Sequence, residues 1–391
     1  MTLNLHEATR EITPHVIELR RHFHRNPETG LDVPNTAKRV EEELDSLGIE
    51  HKRCIENGVI GMLDSGQTGP TVMLRADMDA LNVTEENDHE YVSTIPGKMH
   101  ACGHDTHVAM LVGAANVLKS EGIQRGRLKL LFQPGEEGAH GAELMIKDGA
   151  MENPKVDYCY GQHIWALAPS GIIQVEDGPI MAAVDTVYFT IEGKGTHAAL
   201  PHTGHDPIVC GAQIVSALQT IATRDVDPLH SCVVTVSMFN AGSAHNVIPA
   251  RAKLAISVRV FDDDVHDLIE KRIKEIISGI STSMGCTAEI DYIREHRPTV
   301  NAPEIAALVR EEAIEIVGHE SVWTLGQKTM GAEDMSDFLH LAPGAFGFIG
   351  GMNEVKGCNY PHHHPKFNID EDALAIGTEL MYRVGQRLLT L

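Results

Sequence analysis

The sequence predicts an α/β protein of two domains, the smaller inserted into the larger. Three observations carry this. At 391 residues the chain exceeds a comfortable single hydrophobic core. Its first part alternates helical and strand-like apolar patterns, and the strands deliver polar residues at their carboxyl ends, where open α/β sheets hold their ligands. Beyond about Asp177 the order becomes β-α-β-β-α-β, the split βαβ arrangement that closes as a small domain of its own. Gly178-Pro179 and Arg297-Pro298 bracket that stretch as hinges, giving residues 1–177 and 298–391 to the larger domain and 178–297 to the smaller.

Taken in order, Ile12, Val16, Leu19 and Phe23 recur at helical spacing over 5–23, and the pattern stops before Asn26-Pro27. A second helix over 36–47 ends at Gly48. Strand-like runs follow at 59–63 and 71–76, separated by a turn, and the second ends in Asp77-Met78-Asp79. A polar loop leads to a helix over 105–118. A strand over 127–132 delivers Gln133-Pro134-Gly135-Glu136-Glu137-Gly138, a helix covers 141–147, and a strand over 157–163 ends at His163. The inserted domain reads as strand 183–192, helix 207–223, strands 231–239 and 252–261, helix 265–284 and strand 287–292. Helices over 303–317 and 370–389, with a strand over 345–349, rejoin the first domain.

Composition excludes several classes. Hydrophobic content of 42% and charged content of 22% are those of a soluble globular protein. No apolar run is long enough to cross a bilayer, and the polar start Met1-Thr2-Leu3-Asn4 lacks a signal peptide's regions, so the expectation is a cytoplasmic protein without a membrane partner. The formal net charge of −23, from 55 acidic against 32 basic residues, opposes nucleic acid. The same field repels an anionic substrate, so a carboxylate ligand needs a local arginine. Seven cysteines, odd in number and without disulfide or zinc-ribbon spacing, read as buried thiols in a reducing compartment for six of the seven.

The seventh is Cys102, in the stretch Met99-His100-Ala101-Cys102-Gly103-His104-Asp105-Thr106-His107. A thiol and imidazoles on backbone that Gly103 lets turn sharply can converge on one cation of borderline softness. Histidines also cluster by chance in a chain with 23 of them, Glu-Glu pairs are common on solvated turns, and a strand-end histidine is often a polar core residue. Three strand ends in succession favour a site. Asp77, Asp79, Cys102, His104, Glu136, Glu137, His163 and the late run Pro361-His362-His363-His364-Pro365 form the mixture of thiol, imidazole and carboxylate that two cations about 3.5–4 Å apart require. One of the paired glutamates suits the base that takes a proton from water and passes it to the leaving group.

These residues carry a family resemblance over nearly the whole chain. Arg20-Arg21-His22 with Pro27-Glu28, Arg75 to Leu81, Met99 to His107, Gln133 to Gly138, Gly193 to His197, Asn246-Val247-Ile248-Pro249, Gly331-Ala332-Glu333-Asp334 and His363 with Pro365 together resemble the metal-dependent amidohydrolases. That group includes hippurate hydrolase and the plant indole-acetyl-amino-acid hydrolases, a branch of the aminoacylase and glutamate carboxypeptidase superfamily. The resemblance implies a mixed-sheet, metallopeptidase-like catalytic domain with an inserted ferredoxin-like lid and dimerisation domain, and a homodimer or dimer-based homo-oligomer. It implies Cys102, His104, Glu137, His163 and His363 as metal ligands, Glu136 as general base and acid, and Asp79 as a residue orienting a ligand. His197 is similar to a histidine that reaches a partner subunit's site to stabilise the oxyanion, and Asn246 and Arg259 stand where the substrate's carboxylate is held. The carboxypeptidase branch has a ligand histidine where this chain has Asp77, which leaves the role of Asp77 open. The family usually has leucine at His362, and His100 and His107 take supporting parts.

The reading that follows is a dinuclear hydrolase of N-acyl-L-amino acids, hippurate-like or N-acetyl, using two divalent ions per subunit. Zinc fits the ligand set, and manganese, cobalt or nickel could substitute. A dipeptidase or carboxypeptidase on the same scaffold is the nearest alternative. A cysteine hydrolase using Cys102 and a non-catalytic metal-binding protein are the others.

Overall fold

The computed structural model describes residues 3–323 and 328–391. The chain divides into two compact units, one of Met1–Gly178, Val300–Gly326 and Asp334–Leu391, the other of Pro179–Thr299 and Gln327–Glu333. Chain order alone does not suggest the short return segment of the second unit. Among the described residues no helix is long and apolar enough to cross a membrane.

The larger unit is built on an eight-stranded mixed sheet. Its strands, in spatial order, are β1 (Glu50–Cys54), β2 (Gly58–Asp64), β4 (Arg127–Gln133), β3 (Thr71–Asp77), β5 (Tyr158–Pro169), β16 (Gly344–Met352), β6 (Ile173–Gln174) and β15 (Val322–Trp323). The central strands β4, β3, β5 and β16 run parallel, and β3, buried along its whole length, is an apolar run rather than an alternating one. Edge strand β1, Glu-His-Lys-Arg-Cys, is mostly polar, as a solvated edge is, and apolar patterning therefore does not reveal it.

Helices α1 (Glu7–Arg25), α2 (Pro34–Ser46), α3 (His104–Glu121), α4 (Gly141–Lys147), α7 (Pro303–Val317), α8 (Met335–Leu341) and α9 (Asp372–Leu388) belong to the same unit. Helix α3 is apolar on nearly every side because α1, α9 and the sheet surround it. Gly113 lets those helices approach: a Cβ there would stand 2.6 Å from Val16 Cγ2 and 3.0 Å from Thr378 Cγ2.

Register aligns the strand ends that matter. Asp77 of β3 faces Gln133 of β4, and Arg75 of β3 faces Gly161 of β5, so His163, two residues on, lies level with Asp77. The sequence predicts His163 as the last residue of its strand. It lies instead in the middle of β5, which runs on to Pro169 because β16 continues to pair with it beyond the end of β3, Phe348 facing His163. His163 is nonetheless the point at which β5 passes the edge of its neighbour.

In the second unit β8 (Ala183–Glu192), β10 (Cys232–Ala241), β12 (Arg251–Val260) and β13 (Thr287–His296) form an antiparallel sheet in the order β10-β12-β8-β13. With α5 (Pro207–Thr220) and α6 (Asp263–Ser283) in chain order this is the ferredoxin-like βαββαβ arrangement. Ile214, Leu218, Ile269, Ile273 and Ile277 give it a core of its own with the apolar residues of the sheet. The strands β9 (Thr196–His197) and β11 (Val247–Ile248) pair as a short separate ribbon. Two further strands, β7 (Gly178–Met181) and β14 (Thr299–Asn301), fall where the chain passes between units.

Candidate metal centre

Gly103 decides the local geometry of the Met99–His107 stretch. Its φ of +94° lies in the left-handed region, and a Cβ there would stand 2.4 Å from Ile164 Cγ2. The sharp turn lets Cys102 and His104, which opens α3, share one side of the strand ends. Cys102 Sγ lies 3.5 Å from His163 Nε2, and ligand atoms of Cys102, His104 and His163 all fall within 4.8 Å of one another. Cys102, Glu137 and His363 form a second such group, and His104, Glu136 and Glu137 a third. The structure thus brings together all five residues implied as ligands, with Glu136 beside them.

The two glutamates are held by Asp79. Its carboxylate oxygens accept from the Glu136 and Glu137 backbone N–H groups at 2.9 and 3.1 Å, and one of them stands 3.6 Å from His104 Nδ1. A single buried aspartate thereby fixes the loop that follows β4 and sets its charge beside the imidazole that opens α3.

Asp77 faces a different set. It accepts from Arg75 Nη1 at 2.7 Å and pairs with His107 Nδ1, while His107 Nε2 accepts from the Ile164 amide at 2.9 Å. Both nitrogens of His107 are therefore engaged by protein groups, although ligand atoms of Asp77, His104 and His107 also fall within 4.8 Å of one another. Arg75, fully buried, also reaches Asp334 at 2.7 Å and Gln133 at 2.9 Å, and Asp334 accepts from Gln133 at 2.6 Å. This charged frame under the strand ends accounts for Arg75 and Asp334. Sequence pattern offers no route to the pairing, because 259 residues separate them.

The histidine run resolves into separate tasks. His362 Nε2 accepts from the Ala166 amide at 3.0 Å and its Nδ1 donates to the Cys102 carbonyl at 3.2 Å, so its ring staples the thiol's segment to β5. Burial, and then the neighbouring His363, push it down to about 3, which keeps it neutral. His363, at a φ of +66° with its amide donating to the Ala101 carbonyl, turns its ring to Glu137, Nε2 to Oε1 3.4 Å.

The donor set suits cations. His163 donates Nδ1 to the Ile164 carbonyl, which leaves the Nε2 lone pair facing Cys102, and burial holds the ring neutral, well below its ordinary value. Neither ring nitrogen of buried His104 makes a hydrogen bond. Burial lowers the affinity of His104 for a proton, but the charges of Asp77 and Cys102 outweigh it and raise the group well above the usual imidazole value. Hydrogen bonding to Cys102 and Glu137 pushes His363 up to about 10. Protons on those two rings balance the acidic groups, and divalent cations would supply the same charge through the same lone pairs.

In the second unit, His197 and Asn246 come together: Val247 pairs with His197, and the Asn246 carbonyl accepts from the Ala198 amide at 3.0 Å. Both residues are exposed. Arg259 lies in β12, its guanidinium donating to Ser257 Oγ at 3.1 Å and to the Val258 carbonyl at 3.0 Å.

The sequence pattern of Peptidase family M20/M25/M40 matches residues 73–387, most of the chain. The chain belongs to that family. It is 40% identical over 379 residues to thermostable carboxypeptidase 2 of Saccharolobus solfataricus, covering 95% of each chain. It is 37% identical over 379 residues to the N-acetyl-L-cysteine deacetylase of Bacillus subtilis, covering 96% of this chain and 88% of that one. It is 36% identical over 380 residues to IAA-amino acid hydrolase ILR1-like 4 of Arabidopsis thaliana, covering 96% and 86%. Among solved structures, a putative aminohydrolase from methicillin resistant Staphylococcus aureus superposes with a TM-score of 0.93 at 32% identity, covering 98% of both chains. The YXEP protein of Bacillus subtilis, described as a dinuclear metal binding peptidase of the M20 family, superposes with a TM-score of 0.85 at 28% identity, covering 97% and 99%. The resemblance read from the motifs holds, and this M20 protein is a metal-dependent amidohydrolase with the mixed α/β fold of the family.

Proposed function

We propose that this M20 hydrolase cleaves the amide of N-acyl-L-amino acids, releasing a carboxylic acid and a free amino acid. The observation that carries the reading is the Glu136-Glu137 pair: one carboxylate joins the thiol and imidazole cluster, and the other stands 3.9 Å from His104 with its backbone held by Asp79. Relatives named as an N-acetyl-L-cysteine deacetylase and an IAA-amino acid hydrolase support the substrate class.

Cys102, His104, Glu137, His163 and His363 would hold two divalent cations, zinc by preference, which polarise the scissile carbonyl and bring water near its deprotonation point at neutral pH. Glu136 takes the proton from the attacking water and returns it to the amine nitrogen, so that the leaving group departs neutral. Asp79 acts through Glu136 as a positioning residue. Asn246 and Arg259 hold the substrate's carboxylate, Arg259 supplying the local positive charge that a chain of net charge −23 otherwise lacks. His197 donates to the oxyanion in a partner subunit of a homodimer.

Replacing Glu136 by Gln should leave metal content unchanged and lower kcat by about 10²-fold or more, measured on a reconstituted enzyme. Retained turnover removes Glu136 from the role. The 40% identity to a protein named a carboxypeptidase favours a second reading, in which the acyl group is itself aminoacyl. Release assays on benzoyl, acetyl, indole-acetyl and aminoacyl derivatives of one amino acid separate the two.

A further inference from the structure

A second group of imidazole and carboxylate donors lies outside the dinuclear cluster, shares no ligand with it and has no part in the mechanism above. His24 of α1, Glu85 and His89 have ligand atoms all within 4.8 Å of one another. The residues come from α1 and from the loop over 82–98, which is almost without regular structure.

Three features make this a built site rather than a chance meeting. The first is spacing. Glu85 Oε1 stands 3.2 Å from His24 Nε2 and 3.3 Å from His89 Nε2. Ligands at zinc bond lengths in a tetrahedron are roughly 3.3 Å apart, so a cation could replace the His24–Glu85 hydrogen bond without moving the ligand atoms. The second is orientation by outer partners. His24 Nδ1 donates to buried Asp105 Oδ2 at 2.8 Å and its Nε2 donates to Glu85 Oε1 at 3.2 Å, so a cation here would take the place of the proton between His24 and Glu85, with Asp105 behind the ring in the carboxylate–histidine–metal arrangement. Glu85 is in turn held by the Ser93 amide, which donates to Oε2 at 2.6 Å, and by Asn87 Nδ2, which donates to Oε1 at 3.0 Å.

The third is unmet demand. His24 is fully buried, and the side chains of Glu85 and His89 are 5% and 17% exposed. Neither nitrogen of His89 has a hydrogen-bond partner, although the ring is fixed in place by stacking on Tyr91 at 3.8 Å between centroids. Burial, and then the charge of His24, push His89 down to about 4, so its lone pair is free. Arg20, whose charge also acts on His89, is paired with Asp105 and Glu371.

We infer that His24, Glu85 and His89 form a third divalent-cation site, of zinc type, that pins the loop over 82–98 to α1. Water completes the coordination, since three protein ligands leave one tetrahedral position open. The role is structural: the loop leads through His100 into Cys102 and His104, so anchoring it stabilises the approach to the dinuclear centre.

Full-length protein stripped with a chelator, reloaded with excess zinc and freed of loose metal by gel filtration should hold about one zinc per chain more than His89→Gln treated identically. Glu85→Gln should show the same deficit. His89 lies on a partly exposed loop, so the first variant keeps the fold, which circular dichroism verifies. A count in His89→Gln equal to that of the wild type overturns the proposal, whatever Glu85→Gln does. The measurement is a difference between proteins with identical dinuclear residues, so it fails or succeeds independently of the ligand set proposed there, which Cys102→Ser tests.

Discussion

At the scale of single residues, the site separates side chains that lend a lone pair from those that aim it. Cys102, His163 and His363 point ligand atoms at a shared space, while His107, His362 and Asp77 spend theirs on backbone amides, a carbonyl and Arg75. Adjacent histidines thus have opposite fates. His363→Ala and Cys102→Ser should each lower metal content, read by metal analysis after gel filtration, by about 10-fold or more in affinity. His362→Leu should hold its metal, because that ring is bonded to protein groups on both nitrogens. Loss of metal from the leucine variant with retention in His363→Ala would reverse the assignment. Spacing from Pro365 identifies His363 in the sequence, but what His362 does is legible only once Ala166 and the Cys102 carbonyl are beside it.

At the scale of elements, some of the residues that carry the family resemblance join helices and strands. Pro27-Glu28 is an instance. Helix α2 begins after Val33, which offers no side-chain cap, and the Glu28 carboxylate supplies it from outside, accepting from the Asn35 and Thr36 amides at 3.0 and 2.8 Å. The Glu28 carbonyl also accepts from Ala80 at 2.7 Å, tying this segment to the one that follows Asp79. Glu28→Ala should therefore cost about 1 kcal/mol of stability in urea unfolding, with metal stoichiometry unchanged. A variant as stable as the wild type would mean that the cap is idle. No local pattern announces it, because the accepting carboxylate lies outside the helix it serves.

At the scale of the whole molecule, charge is the property that reaches furthest. A protein of net charge −23 repels an anionic N-acyl amino acid before any residue touches it. Raising ionic strength from about 0.01 to about 0.15 M shortens the screening length from roughly 30 to 8 Å, so kcat/KM should rise a few-fold. The corresponding N-acyl amino acid amide, which lacks the carboxylate, should show no such rise. Steady-state rates at constant pH check both, and a fall with salt for the acid would point to a positive funnel that outweighs the net charge.

The sequence by itself determined the fold class, most of the central strands and the chemistry of the donors. Apolar periodicity is local, and motif spacing places Asp77, Asp79, Glu136 and Glu137 at strand ends without any knowledge of partners. What tertiary structure decided is which groups meet. Register brought His163 of a longer strand level with Asp77, the buried Arg75–Asp334 pair joined segments far apart in the chain, and His24, Glu85 and His89 gathered from a helix and an irregular loop. The reason is physical: a coordination site is a convergence of a few ångströms among side chains distant in sequence, and only the packing of strands and helices sets those distances.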